Sequence, residues 1–315
     1  MEKLIGFKKG VNLGGWLSQC DYSTEHLNSF IAEKDFKKIA SWGVDHVRIP
    51  IDYNIVQNTD GTIKESGIAY IDNALEMCKK YGLNTVIDLH KTAGFSFDKG
   101  ENESGFFDDE KYRQLFYSLW EELAKRYGNS ESIVFELLNE ITDREFSKKW
   151  NETAKECIKR IRTHAKDTVI FVGGYWNNSI DAIKDLEPPY DDRVAYTFHC
   201  YNPMPFTHQL AWWVDNFDVS QKKTYEECGC CAEDFVKAFK EAWEIARKNN
   251  TVLYCSEYGV IDKASPSDTL KWYKDINSAF EHYGIGRCAW NYKEKDFGLS
   301  DKNMEGVIDE VRKYL

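Results

Sequence analysis

Short apolar runs alternate with longer segments of helical period along the whole chain. The runs fall at residues 9–13, 45–50, 85–90, 132–139, 168–173, 194–201, 251–258 and 286–292. Their interiors read Val-Ile-Asp-Leu, Ile-Val-Phe-Glu-Leu-Leu and Val-Ile-Phe-Val. Near-continuous apolarity of this kind suits parallel strands covered on both faces. Between the runs, Phe235, Ala238, Phe239, Ala242, Trp243 and Ala246 recur at helical spacing, as do Tyr112, Leu115, Phe116, Leu119, Trp120 and Leu123. Each set lays one apolar stripe along a helix. Ser265-Pro266 opens a further helix with a capping hydroxyl and a proline in the first turn. Gly43, Gly82, Gly128 and Gly284 each stand shortly before a strand, where a left-handed residue would end the preceding helix.

A strand–loop–helix–glycine unit of about 40 residues, repeated eight times, predicts an α/β fold: a single (β/α)8 TIM barrel. It would span residues 1–315 as one catalytic domain, with an extended loop or subdomain after the sixth strand. The alternative is an open doubly wound sheet, which normally carries a glycine-rich phosphate turn after its first strand. Here Gly14-Gly15 leads into Trp16 instead. Two connections are long. Residues 91–108 carry Phe95, Phe97, Phe106 and Phe107, and residues 202–232 carry Trp212, Trp213 and Phe217. Their aromatics predict ordered loops, and in a barrel both would rise from the C-terminal face.

Composition narrows the function classes. The net charge of −11, with no basic tract, argues against nucleic acid as a partner. No apolar run approaches the ~18 residues of a membrane span. The stretch from Met1 to Gly10 has no apolar leader core, so the expectation is a cytoplasmic or non-classically released protein, or a secreted one if a leader has been removed. Nine cysteines is an odd number, and Cys78, Cys157, Cys200, Cys255 and Cys288 sit in apolar patterns, so reduced thiols are expected. Cys228-Gly229-Cys230-Cys231 offers three crowded thiols near His208 but no second ligand pair, so no metal site is expected there. His26, His46, His164 and His282 read as surface or packing residues. Trp176-Asn177-Asn178 reads either as the rim of the bowl or as plain loop. A monomer without a cofactor is the default expectation.

The candidate chemistry lies at the ends of the strands. Arg48, His90, Asn139, Glu140, His199, Tyr201, Glu257 and Trp290 all fall at or just past the C-terminal ends of apolar runs, and in a barrel those ends face one bowl. Glu140 and Glu257 form the central pair. Two carboxyls flanking a bond, one protonated and one ionised, are what glycoside hydrolysis requires. Burial and mutual repulsion would push their pKa values apart. A lone strand-end glutamate could equally be a salt-bridge partner; the convergence of polar neighbours favours catalysis.

Taken in order, Asn139-Glu140, Arg48-Ile49-Pro50, Asp88-Leu89-His90, His199-Cys200-Tyr201 and Ser256-Glu257-Tyr258-Gly259 resemble glycoside hydrolase family 5. Within that family they are most similar to the branch of signal-less clostridial endoglucanases. The likeness runs from Gly10-Val11-Asn12-Leu13-Gly14-Gly15-Trp16 to Trp290-Asn291-Tyr292-Lys293. The resemblance implies a retaining double displacement, with Glu140 as general acid/base and Glu257 as nucleophile. It further implies that Asn139 binds the sugar 2-OH, Tyr201 orients the nucleophile and His199 the acid/base. Arg48 would favour the ionised nucleophile, His90 would meet sugar hydroxyls, and Trp290 would carry a pyranose face. The stretch after the sixth strand looks shorter than the inserted subdomain of that branch. Trp213 there is a candidate for an outer subsite, with loop packing as the alternative. The implied activity is endo-β-1,4-glucanase action on soluble β-glucans, mixed-linkage ones included. β-Mannanase, xyloglucanase and β-1,3-glucanase activities, or a non-catalytic oligosaccharide-binding barrel, are the alternatives.

Overall fold

The computed structural model describes residues 4–315; the first three residues of the N-terminal stretch lie outside the described part. The strands are β1 (Lys9–Asn12), β2 (His46–Asp52), β3 (Asn84–Lys91), β4 (Ile133–Glu136), β5 (Ile170–Val172), β6 (Val194–Cys200), β7 (Leu253–Tyr258) and β8 (Gly286–Ala289). They pair in parallel, in chain order, and β8 closes on β1. The open-sheet alternative is thereby excluded. Around the barrel lie α1 (Glu33–Ser41), α2 (Glu65–Tyr81), α3 (Glu110–Tyr127), α4 (Ser147–Ile161), α5 (Ala232–Lys248) and α6 (Pro266–Tyr283). The stripe on α3 is buried from Phe116 through Leu119, Trp120 and Leu123. That on α5 is narrower than its spacing suggests, because Ala238 faces solvent and Trp243 is half-buried. Ser265 caps α6 by accepting from the Asp268 N–H, as its Ser-Pro signature predicts.

Three details differ from the sequence pattern. The crossover from β5 to β6 is a short 3-10 segment, Ile180–Asp185, rather than an α-helix. Pro188-Pro189 follow it closely and cannot continue a helix. Gly43, Gly82 and Gly284 do take left-handed φ values of 77°, 69° and 68°, but Gly128 stays right-handed at −71°. Glycine is needed there for closeness instead, since a Cβ would meet that of Ala165 at 2.2 Å. The fourth and eighth strands are also shorter than their apolar runs. Asn139 and Glu140 stand past the end of β4, and Trp290 stands past the end of β8.

The barrel interior changes character along its axis. Phe7, Val86, Val134, Phe171, Ala195, Tyr254 and Cys288 form an apolar plug at the N-terminal end. Two residues further along the strands, on the same inward face, stand Arg48, Asp88, Glu136, Thr197 and Ser256. Thr197 and Ser256 exchange a hydrogen bond at 2.8 Å. This polar layer is the floor of the bowl. His46 is a buried residue below it, 2.5 Å from both Asp45 Oδ1 and the Tyr254 hydroxyl.

The β3 connection is packed, whereas the β6 connection is packed only in part, with Trp212 and Phe217 exposed. Phe95, Phe106 and Phe107 form one aromatic cluster beneath the β3 loop. The connection after β6 is an extended loop with a single turn of helix at Met204–Thr207 and a 3-10 turn at Glu226–Cys228. All nine cysteines are free thiols. Cys231 lies at the start of α5, with its Sγ 3.2 Å from the Asp234 carboxylate. Among the described residues no helix is long and apolar enough to cross a membrane.

Candidate active site

Arg48 organises the floor. It is fully buried on β2, and an isolated guanidinium there would be costly. Its five donors are therefore spent on neighbours. Nε and Nη2 reach Glu136 at 2.7 and 3.2 Å, Nη1 reaches Asn12 Oδ1 at 2.9 Å and Glu257 Oε1 at 2.7 Å, and Nη2 reaches Asn139 Oδ1 at 2.7 Å. Nη2 also lies 3.0 Å from Asp88 Oδ2. Burial by itself would lower its pKa, but the Asp88, Glu136 and Glu257 carboxylates outweigh that and hold it well above its ordinary value. One cation cannot fully compensate that many buried acids, and burial pushes the Glu136 carboxyl up.

Glu257 is fixed from two sides. Arg48 holds Oε1, and the Tyr201 hydroxyl donates to Oε2 at 2.8 Å. Burial, then the Glu257 carboxylate, keep the Tyr201 phenol protonated and able to donate. Ser256 already faces the barrel interior, so strict alternation would turn Glu257 outward. The register slips between Cys255 and Tyr258 on one side and between Phe198 and His199 on the other. Such irregularities re-aim side chains. Here both Ser256 and Glu257 face the bowl.

Glu140 has different company. Its Oε1 lies 2.8 Å from His199 Nδ1, and its Oε2 accepts from Asn177 Nδ2 at 2.8 Å. Burial pushes its carboxyl up to about 7, against the opposing pull of the Asn177 amide. Burial also pulls His199 down to about 4, so this imidazole is neutral near pH 7. Among the described residues its second nitrogen, Nε2, has no hydrogen-bond partner, and neither does the Asn139 amide nitrogen. One atom each from Glu140, His199 and Glu257 lie within 4.8 Å of one another. That closeness would suit a cation, but these groups are already hydrogen-bonded, and a carboxyl pushed up to about 7 is a weaker ligand than an ordinary carboxylate.

The remaining candidates form one wall. His90 donates to or accepts from Asp88 Oδ2 at 2.6 Å, and burial holds it down to about 3. Its ring stacks parallel to Trp290, with centroids 5.7 Å apart. Trp290 is only 7% exposed, and it clusters with Ala211, Ile261 and Phe297. Its outer edge rests over Gly14, where a Cβ would come within 2.5 Å. Trp213 is half-buried against this cluster, beside Tyr201, while Trp212 is 74% exposed. Thus Arg48, Asn139, Tyr201 and Glu257 share one hydrogen-bonded network, and Glu140 and His199 form a second, smaller one beside it, with His199 Nδ1 3.6 Å from Glu257 Oε2. His90 joins the first through Asp88, and Trp290 and Trp213 join by packing alone.

Four members of these networks were not among the strand-end candidates. Glu136 and Asp88 are acids inside apolar strands, a pattern that demands a buried partner. Asn12 sits one layer below the rim. Asn177 lies in a loop where Trp176, Asn177 and Asn178 all have positive φ, between 52° and 59°. Asparagine tolerates that conformation better than most residues, and of the two readings of Trp176-Asn177-Asn178 the bond from Asn177 to Glu140 fits the rim of the bowl.

This geometry can be set beside known proteins. A family model described as cellulase (glycosyl hydrolase family 5) matches residues 9–296. Cellodextrinase A of Ruminococcus flavefaciens is 54% identical over 91% of this chain and 86% of its own length. Endoglucanase C of Acetivibrio thermocellus is 39% identical over 99% and 98%. Among solved structures, the cellulose synthase subunit Z of Clostridioides difficile superposes with a TM-score of 0.83 at 26% identity, over 98% of this chain and 99% of that one. Thermotoga maritima Cel5A in complex with mannotriose gives 0.81 at 25%, over 98% and 97%. The family match and the two long alignments show that the chain belongs to glycoside hydrolase family 5 and is a glycoside hydrolase.

Proposed function

We propose that this barrel, acting as one domain, hydrolyses β-1,4-glucosidic bonds in cellodextrins and soluble β-glucans, mixed-linkage glucan included, with retention of configuration. The observation that carries the proposal is the approach of Glu140 and Glu257, whose oxygens come within 4.8 Å. Retaining glycosidases hold their carboxyls about 5–5.5 Å apart, whereas inverting ones leave room for a water. Environment divides the roles. Glu140, whose carboxyl burial pushes up to about 7, donates to the leaving oxygen. Glu257, paired with Arg48 and Tyr201, attacks C1 as the ionised nucleophile. Glu140 then takes a proton from the water that releases the glycosyl group.

Neutral His199 orients Glu140 through Nδ1. The free amide nitrogen of Asn139 is available to the 2-OH, a contact that strengthens as positive charge grows at C1. His90 and the exposed strip of Trp290 border the sugar next to Glu257. A purely binding barrel has no use for two carboxyls brought this close and held by such different partners. The names of the relatives support glucan, and the mannotriose complex of the Thermotoga maritima protein keeps mannan in play. Hydrolysis of lichenan, carboxymethylcellulose, mannan, xyloglucan and laminarin, measured side by side, tests the proposal. Lichenan and carboxymethylcellulose should be cleaved fastest. Faster cleavage of mannan, xyloglucan or laminarin would overturn the substrate assignment.

A further inference from the structure

The two long loops meet. Lys99 Nζ in the β3 loop lies 2.7 and 2.8 Å from the two carboxylate oxygens of Asp215 in the β6 loop. β3 and β6 are not neighbours in the barrel, so a contact between their loops must pass over its mouth. Its position is fixed by what lies two residues before each partner. Phe97 rests edge-on against His90, with centroids 5.0 Å apart. Trp213 packs into the cluster that contains Trp290. His90 and Trp290 in turn stack on each other. The ion pair therefore bridges the bowl above the His90–Trp290 wall. The β3 half is held firmly: Lys91 binds Asp98 at 2.5 Å and Glu101 at 2.7 Å, and Gln19 donates to Asp98 at 2.8 Å.

We propose that Lys99 and Asp215 form a strap across the glycone end of the cleft, and that this strap sets the preference between short cellodextrins and long polymers. The inference rests on the roles proposed above for Glu140 and Glu257. With C1 of the sugar on Glu257 and the leaving group toward Glu140, the glycone runs toward His90 and Trp290. A short cellodextrin passes its free end beneath the closed strap. A long chain entering in its middle must lie down across the bowl from above, so it needs the strap open. The ion pair is exposed, with the two side chains 45% and 69% accessible. Such a pair biases an opening equilibrium by up to about fivefold, which leaves the strap a tunable restriction rather than a fixed wall.

The test compares kcat/KM on lichenan, an uncharged polymer, with that on cellopentaose. Lys99→Glu should raise the polymer-to-oligomer ratio by up to about fivefold, and Lys99→Glu combined with Asp215→Lys should restore it. With this uncharged polymer the wild-type ratio should also rise with added NaCl, whereas in Lys99→Glu, where two carboxylates face each other, it should not rise. An unchanged ratio in the single variant, or the same change in the charge-swapped double variant, would overturn the strap. If the wild type cleaves neither substrate, the functional reading fails instead. The strap is then read without turnover, by calorimetry with cellopentaose and by retardation in gels containing the polymer. Lys99→Glu should gain retardation relative to cellopentaose affinity, and equal changes in both would refute the strap.

Discussion

Replacing Asn177 by glycine should shift the pH dependence of the reaction without touching either carboxyl. Asn177 Nδ2 donates to Glu140 Oε2 at 2.8 Å and favours the ionised carboxylate. Glycine removes that donor and accepts the φ of 54° without strain. The backbone stays anchored, because the N–H groups of Trp176 and Asn177 bond to the Thr142 and Ile141 carbonyls at 3.1 and 3.0 Å. A hydrogen bond to a charged group contributes about 1.5–3 kcal/mol, or roughly 1–2 pKa units. Asn177 is exposed, and water can replace part of what it supplies, so about half a unit to one unit is expected.

The sign follows from the role. Glu140 must be protonated to act as acid, and its carboxyl titrates at about 7, so kcat/KM falls as pH rises through that value. Losing the amide raises this pKa, and the alkaline limb should move up by about half a unit to one unit. The assay is the pH profile of kcat/KM on cellopentaose. An aryl β-cellobioside with an activated leaving group serves as control, since its departure needs little protonation. A limb that stays in place or moves down would refute the reasoning. So would an equal shift with the activated substrate.

Two other substitutions probe the floor and the nucleophile. Arg48→Met strands the Asp88, Glu136 and Glu257 carboxylates in the interior, so urea denaturation should show a loss of about 3–5 kcal/mol; a loss below about 1 kcal/mol would mean the network is not held as described. Glu257→Ala should lower turnover of cellopentaose by about 10⁴-fold or more, and azide should restore part of the activity with release of an α-glycosyl azide. Absence of rescue would exchange or abolish the assigned roles.

The barrel was legible because parallel strands covered on both sides must be apolar for most of their length, and helices such as α3 and α6 announce themselves by stripe and cap. The placement of the strand-end residues was legible for the same reason: a polar residue that closes an apolar run faces the bowl. The pattern of runs did not reach what the register decides. Glu257 faces the bowl although its neighbour Ser256 does too, and only the slips flanking β7 explain that. Glu136 and Asp88 were in plain view as acids within apolar strands, yet their shared partner Arg48 comes from another strand. Asn177 and the Lys99–Asp215 pair depend on loop conformation, which has no period to read. Gly128 shows the converse: a glycine in the expected place for a helix stop serves close packing against Ala165.

The central claim is that Glu140 and Glu257 act as acid/base and nucleophile in a double displacement. Proton NMR of the first product released from cellopentaose tests it most directly, because the anomeric signal is set before mutarotation mixes the forms. The account predicts that the β-anomer appears first and the α-anomer grows in later. An initial α-anomer would mean direct attack by water, and would contradict the assignment of Glu257 as nucleophile.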